Sequence, residues 1–303
     1  MRKDNVTFTF SQRHPFFFGM GLILMAVVLF FGAMAFFYFI KPHIRLPFFS
    51  KPYLGIVKVS GTITSSQDIV KWIDQLKKDP DIKGVLIRIN SPGGIVAPSQ
   101  EIYEAVKKLS KIKPTVVSMG SLAASGAYYI SCGARVIVAN PGTITGSIGV
   151  LASLKSIEEL MKKIGVEDET ITSGKLKAAG SPFKKLTPEE RRYFQDLVDN
   201  LFHQFVKAVA DGRHLSVKKV LSLADGRAYT GQEAKQLGLV DKLGNIDDAI
   251  EVLKKMCHIQ GEVKFKQGPA QKTSLLKRIM GIELSPPPKE GGNFYFIYAP
   301  YLR

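Results

Sequence analysis

Between Pro15 and Ile40 the chain reads "PFFFGMGLILMAVVLFFGAMAFFYFI", without one charged residue. As an α-helix these residues span about 39 Å at ~1.5 Å per residue, more than a hydrocarbon core of ~30 Å requires. The segment therefore predicts a transmembrane helix. A cleaved signal peptide is the competing reading, but its apolar core is roughly 7 to 15 residues and ends at a small-x-small site. This run is longer and no such site closes it, so an uncleaved signal anchor is expected. Arg2, Lys3 and Arg13 precede the span, and Lys41, Arg45 and Lys51 follow it. With cations on both flanks, the positive-inside rule does not orient the helix.

The rest of the 303 residues suffices for one globular domain of ordinary core size plus appendages, or for two small domains. Net charge is +16, and the first 40 residues contribute only three basic and one acidic side chain to it. Such a surface suits anionic lipid head groups next to a membrane tether, and a solvated cationic surface accounts for it equally well. No RNA-binding signature or aromatic-basic platform points to nucleic acid. Cys132 and Cys257 have neither a CxxC partner nor zinc-like spacing.

After a basic, proline-bearing linker at 41–52, β-rich runs alternate with amphipathic helices. "LGIVKVSG" (54–61) reads as a strand; residues 66–79 read as a helix with Ile69, Ile73 and Leu76 on one face. "GVLIRINSPGG" (84–94) is a strand entering a turn, 99–112 a helix through Ile102, Val106 and Leu109, and 115–119 the next strand. "ASGAYYISCGA" reads as helix and 135–139 as strand, so the alternation implies an α/β layered domain with a largely parallel sheet. Residues 187–212 predict a long helix with Thr187 as N-cap, Pro188 at the first position and Glu190 completing a capping box. "DGRAYTGQEAKQLGLVDKLGNIDDAIEVLKKM" (225–256) adds a short helix, a turn and an amphipathic helix. The tail "LSPPPKEGGNFYFIYAPYLR" ends in an aromatic stretch that suits an edge strand or a membrane contact.

Two glycine turns follow predicted strands, where open α/β sheets bind ligands. "NSPGG" (90–94) lacks the Walker A ending and the GxGxxG spacing, so it is no phosphate loop. Its consecutive glycines let backbone amides approach a substrate as an oxyanion hole requires. "GSLAASGAYY" (120–129) sets Ser125 among small residues at a strand-to-helix change, with the Gly126 N–H beside it. That is the logic of a nucleophile elbow without its GxSxG pattern. Tight helix packing explains Ala-Ala-Ser-Gly-Ala without chemistry.

A nucleophilic serine needs a base. His14 and His43 flank the membrane span, His203 and His214 belong in or near the long helix, and His258 lies toward the tail. No histidine falls between Ser125 and His203, so a Ser-His-Asp triad would need distant partners. Lysine is the alternative, and "ITSGKLKAAGSPF" (171–183) supplies Lys175 and Lys177, which an extended segment would put on one face. A lysine base must be shifted well below its ordinary ~10.4 by burial. Otherwise either residue is a solvated charge.

"NSPGG", "SMGSLAASGAYYIS", "GTITGSIGV" (142–150), "SGKLKAAGSPF" and "DGRAYTGQEAKQLGLVDKLG" stand in an order that resembles the signal peptide peptidase A family. These are membrane-tethered serine proteases with a Ser/Lys dyad on an α/β Clp-protease/crotonase-like fold of repeated β-α units. The resemblance covers about residues 53–256 plus the anchor. It implies Ser125 as nucleophile and Lys177 as base, because the family's lysine lies four residues after the serine of its Ser-Gly pair, here Ser173 and Gly174. By the same resemblance Gly94 and Gly126 supply the oxyanion amides, and Ser147 of "TGSIG" supplies the hydroxyl that orients the lysine. Many members carry an acidic residue after that lysine, whereas Ala178 stands here.

The implied organisation is an N-terminal tail (1–14), an anchor (15–40), a linker (41–52), a protease domain (53–258) and a C-terminal extension (259–303). The implied activity is endopeptidase cleavage of signal peptide remnants or other unfolded segments. It needs no metal or nucleotide cofactor, and it occurs at the cell membrane on the extracytoplasmic side. Partners would be peptide substrates and the membrane, with a homo-oligomer in which one subunit's lysine serves a neighbour's serine. Three rivals remain: a crotonase-type acyl-CoA enzyme, a noncatalytic membrane scaffold on a protease-like fold, and a Ser-His enzyme using His203 or His214.

Overall fold

The computed structural model describes residues 9–40, 52–269 and 294–297. The first eight residues, the linker apart from Pro52, and much of the C-terminal extension lie outside the described residues. Two units separate at residue 50, each described by itself. In the first, α1 (Phe10–Arg13) precedes α2 (Pro15–Ile40), 26 residues long and apolar on every side. A helix with no polar face has no preferred side to bury in a small domain, and α2 is long and apolar enough to cross a membrane.

In the second unit the elements are β1 (Tyr53–Ser60), α3 (Gln67–Lys78), β2 (Ile82–Ser91), β3 (Gly93–Ile95), α4 (Val96–Ile112), β4 (Thr115–Ala124) and α5 (Gly126–Ser131). There follow β5 (Val136–Ala139), β6 (Ile144–Gly146), β7 (Leu151–Ala152), α6 (Glu158–Lys163), α7 (Pro188–Arg213) and α8 (Val217–Leu221). The chain continues through β8 (Ala228–Thr230), α9 (Gly231–Gln236), β9 (Lys242–Leu243), α10 (Ile246–Met256), β10 (Lys264–Gly268) and β11 (Phe294–Ile297). The main sheet runs β10-β1-β2-β4-β5-β9, parallel throughout that path. Among the described residues, only β8, pairing with β6, runs antiparallel within it.

Two-residue alternation along β2 divides the core. Val85, Ile87 and Ile89 face a cluster containing Ile73 and Leu76 of α3, Ile102, Val106 and Leu109 of α4, and Phe205 and Val209 of α7. Leu86, between them in sequence, faces the other side with Leu54, Val116 and Val138 against Ala249 and Leu253 of α10. The strands are apolar on both faces because helices cover both, as expected for a parallel sheet. This is the Clp-protease/crotonase-like α/β arrangement that the motifs imply.

The long helix lies as expected: Thr187 accepts from the Glu190 N–H, Glu190 accepts from the Thr187 N–H, and Pro188 opens α7. The glycine-rich stretch departs from expectation, because β4 does not stop at Met119 but continues to Ala124. Its first half pairs with β5, through Val116–Ser118, and its second half with β6, through Leu122–Ala124. A second pairing partner lets small residues of low strand propensity remain extended. Helix α5 is correspondingly short, six residues from Gly126.

Candidate active site

Ser125 occupies the single residue between the end of β4 and the start of α5. Its backbone lies at φ 53°, ψ −118°, a region that L-residues with a Cβ seldom adopt, and the residue is 1% exposed. Two hydrogen bonds hold that turn. The Ser125 N–H donates to the Gly146 carbonyl at 2.8 Å, and the Tyr129 N–H donates to the Ser125 carbonyl at 2.8 Å. The chain thus leaves the sheet and enters a helix within one residue, which is the elbow expected from "AASGA". Gly126, buried at the first helical position, has an N–H that no carbonyl of its own helix can reach.

Ser147 lies beside this elbow because of strand register. Ala124 of β4 pairs with Gly146 of β6, so Ser125 and Ser147 each follow a paired residue directly. Gly146 at φ 74° and Ser147 at φ 49° turn the chain out of β6, and the Ser147 N–H donates to the Arg227 carbonyl at 2.9 Å. Ser147 is buried. A Cβ on Gly146 would come 2.6 Å from the Tyr229 ring, which is why glycine stands there.

Gly94 is held by a different device. The Ile63 N–H donates to the Gly93 carbonyl at 2.9 Å, and the Ile95 N–H donates to the Ile63 carbonyl at 2.8 Å. A Cβ on Gly94 would lie 2.1 Å from the Ile63 oxygen, so this close approach requires glycine. Residues 93 and 95 spend those groups on Ile63, so the N–H and C=O of Gly94, one residue out of phase, point to the opposite side of β3. Strand β3 packs against α5, bringing Gly94 to the helix that Ser125 opens.

Lys177 and Lys175 lie apart from these groups in a series of turns at 173–180, both exposed, with the Lys177 N–H donating to the Gly174 carbonyl at 3.0 Å. Among the described residues neither lysine side chain bonds Ser125, and none of the described histidines does. The same stretch of chain, 160–183, carries exposed apolar side chains: Ile171 at 92%, Ile164 at 65%, Leu160 at 57% and Phe183 at 42%. The structure therefore gathers Ser125, Gly126, Ser147 and Gly94, and leaves the lysine segment exposed and apart from them.

Sequence reading did not single out the groups that brace the elbow. In "DGRAYTGQEAKQLGLVDKLG", Arg227 supplies the carbonyl for Ser147 and Tyr229 covers Gly146. Thr230 and Glu233 form the capping box of α9, and Asp241 takes a two-pronged bond from the buried Arg213 at 2.9 and 2.5 Å while accepting from the Ile137 N–H at 2.7 Å. The capping spacing Thr-x-x-Glu was the visible signal. At the far end of α5, burial pushes the Cys132 thiol up to about 12.

The model of the Clp protease family matches residues 55–144, and that of peptidase family S49 matches residues 107–260, just over half of the chain. A Methanocaldococcus jannaschii protein, named provisionally as a protease, is 44% identical over 190 residues, 63% of this chain and 61% of that one. Protease 4 of Salmonella typhi is 39% identical over 193 residues, 63% of this chain and 30% of that protein. The chloroplastic serine protease SPPA of Arabidopsis thaliana is 34% identical over 206 residues, 68% of this chain and 30% of that protein. This chain thus spans about three fifths of the archaeal relative and about a third of the other two. Its motif order, its elbow at Ser125 and these matches together establish that the chain belongs to peptidase family S49, with the signal peptide peptidase A proteins it resembles.

Proposed function

We propose that this chain is a membrane-anchored serine endopeptidase with Ser125 as nucleophile and Lys177 as general base. The carrying observation is the backbone of Ser125, held at φ 53°, ψ −118° between β4 and α5. A fold tolerates strain of that kind where an oriented side chain repays it. The names of its relatives as proteases support the same chemistry.

In this mechanism the neutral amine of Lys177 takes the Ser125 hydroxyl proton as the oxygen attacks a peptide carbonyl. The amides of Gly94 and Gly126 hold the oxyanion, and the Ser147 hydroxyl orients the amine. The lysinium protonates the departing amine, and water, deprotonated by the same lysine, releases the acyl group. A base of this type has to be desolvated, and the lysine segment is exposed on a single chain. The exposed Leu160, Ile164, Ile171 and Phe183 support a homo-oligomer in which a neighbouring subunit covers the segment and receives Lys177 beside its own Ser125.

Substrates in this reading are extended apolar peptides, signal peptide remnants among them, met at the membrane by an extracytoplasmic domain that α2 tethers. Cleavage of casein and of a signal peptide by the detergent-solubilised chain tests it. Activity is expected in the wild-type chain and absent in Ser125→Ala, with Ser125 labelled by a serine-directed phosphonate. Full turnover by Ser125→Ala would overturn it.

A further inference from the structure

The parallel strands β10, β1, β2, β4 and β5 all begin on one edge of the main sheet, and helices α3, α4 and α10, which precede β2, β4 and β10 in the chain, end there. Contacts between segments far apart in sequence make this edge one surface. The Lys113 ammonium donates to the Leu76 carbonyl at 2.7 Å and the Asp79 carbonyl at 2.5 Å. The Arg135 Nε–H donates to the Ser110 carbonyl at 2.6 Å, and the Cys257 thiol to the Lys83 carbonyl at 3.4 Å.

Lys78, Lys83, Lys108, Lys111, Arg135 and Lys255 stand exposed on this edge, and among the described residues none of the six pairs with a carboxylate. Of the acidic groups there, Asp79 pairs with Lys266 at 2.8 Å, Asp74 with Lys77 at 2.6 Å and Glu251 with Lys254 at 2.6 Å. Asp81 and Glu262 lie there too, and the balance of the edge stays positive. The opposite edge has the other sign: α3 opens with Asp68, and α10 with Asp247 and Asp248. Helix dipoles account for the lysines of the last turns, Lys78, Lys111 and Lys255. They do not account for Lys83 in β2 or Arg135 ahead of β5. Nor do they account for Ile112, the last residue of α4, which is 63% exposed between Lys111 and Lys113. An apolar side chain flanked by cations suits the layer where lipid head groups meet acyl chains.

We propose that this basic edge is a docking surface for anionic lipid head groups, with Lys78, Lys83, Lys108, Lys111, Arg135 and Lys255 on their phosphates. Charge complementarity selects anionic over zwitterionic lipid. The chain itself argues for lipid over other polyanions, because only residues 41–52 separate the membrane-length α2 from β1, which starts on this edge at Tyr53. A short tether gives the edge a high effective concentration of bilayer surface. Ser125 follows the far end of β4, ten residues and about 30 Å along the strand at ~3.3 Å per residue. Docking by the basic edge therefore presents the nucleophile away from the lipid, to peptides that have already left the bilayer; this consequence rests on the peptidase reading, and the docking does not.

The test places the full chain in nanodiscs of phosphatidylcholine alone or with about one third phosphatidylglycerol, and follows amide exchange at residues 78–83, 108–113 and 255–258. Exchange is expected to be at least fivefold slower in the anionic discs, with most of that difference lost at about 0.5 M salt. Lys108→Glu/Lys111→Glu should abolish it. The charge-matched Lys58→Glu/Lys71→Glu, toward the opposite edge, should keep it, and melting temperatures show that both variants are folded. Equal exchange in the two kinds of disc, or equal loss in the two double variants, would overturn the proposal. So would protection in phosphatidylcholine discs by soluble poly-glutamate or an oligonucleotide that matches the protection by phosphatidylglycerol. The measurement needs no cleavage, so an inactive chain that docks would overturn the peptidase reading alone.

Discussion

The Ser125 N–H donates to the carbonyl of Gly146 at 2.8 Å, which ties the elbow at the end of β4 to the turn that carries Ser147. One hydrogen bond thereby relates two residues 22 positions apart that both have positive φ, Ser125 at 53° and Ser147 at 49°. Each strained turn restrains the other, and neither is explained by its local sequence alone.

A Cβ at position 125 is strained whatever its chemistry. Ser125→Gly is expected to be more stable than Ser125→Ala by about 1 kcal/mol, with both inactive. Melting temperatures of the two variants in the same detergent measure the difference; a less stable glycine variant contradicts the strain.

Gly94→Ala would force a Cβ to 2.1 Å from the Ile63 oxygen, and backbone cannot yield there as a flexible side chain can. A loss of about 2 to 3 kcal/mol and of all cleavage is expected. Gly142→Ala, which meets nothing within 4 Å, serves as the control and should change stability by less than about 0.5 kcal/mol.

If Lys177 is the base, Lys177→Ala should lower kcat roughly 10²- to 10⁴-fold with little change in KM. Lys175→Ala and His203→Ala should stay within about threefold of wild type. Loss of activity in Lys175→Ala alone would move the base by two residues.

The Lys184 ammonium beside Glu190, with the Thr187 N–H, holds the Glu190 carboxyl below its ordinary range. A lowered folded-state pKa means that the unfolded chain takes up the proton first, so this stabilisation is complete above the unfolded value of ~4.3 and is lost as pH falls through the folded value. Glu190→Gln should therefore melt below wild type at pH 7, and the gap should close under acid. Melting curves from pH 7 down to pH 3 measure it; a constant gap contradicts the linkage.

Cys132 is buried, with its thiol pushed up to about 12, whereas Cys257 is half-buried near the Lys83 carbonyl. A thiol reagent at pH 8 is expected to modify Cys257 first and Cys132 only after unfolding. Labelling of Cys132 at the rate of Cys257 in the native chain would show that the α5 end opens.

Much of the architecture was legible because local rules govern it. The charge-free run at 15–40, the alternation of strand and helix, and the Thr187–Glu190 capping box depend on residues close in the chain. The end of β4 was misjudged by five residues because its extension depends on β6, whose pairing is a distant event. Residue pattern alone does not separate Lys175 from Lys177, because an exposed turn segment carries no periodicity, and the choice of Lys177 rests on the family resemblance.

The sequence by itself determined a membrane-length helix, a parallel α/β domain and a serine set among residues too small to screen it. The resemblance to the signal peptide peptidase A family followed from the order of five motifs. Only the tertiary structure decided that Ser125 and Ser147 stand in register, that Ile63 makes glycine obligatory at 94, and that the aromatic tail pairs with β3 and β7. Strand register and backbone approach arise between segments far apart in the chain, so no local pattern of residue types can encode them.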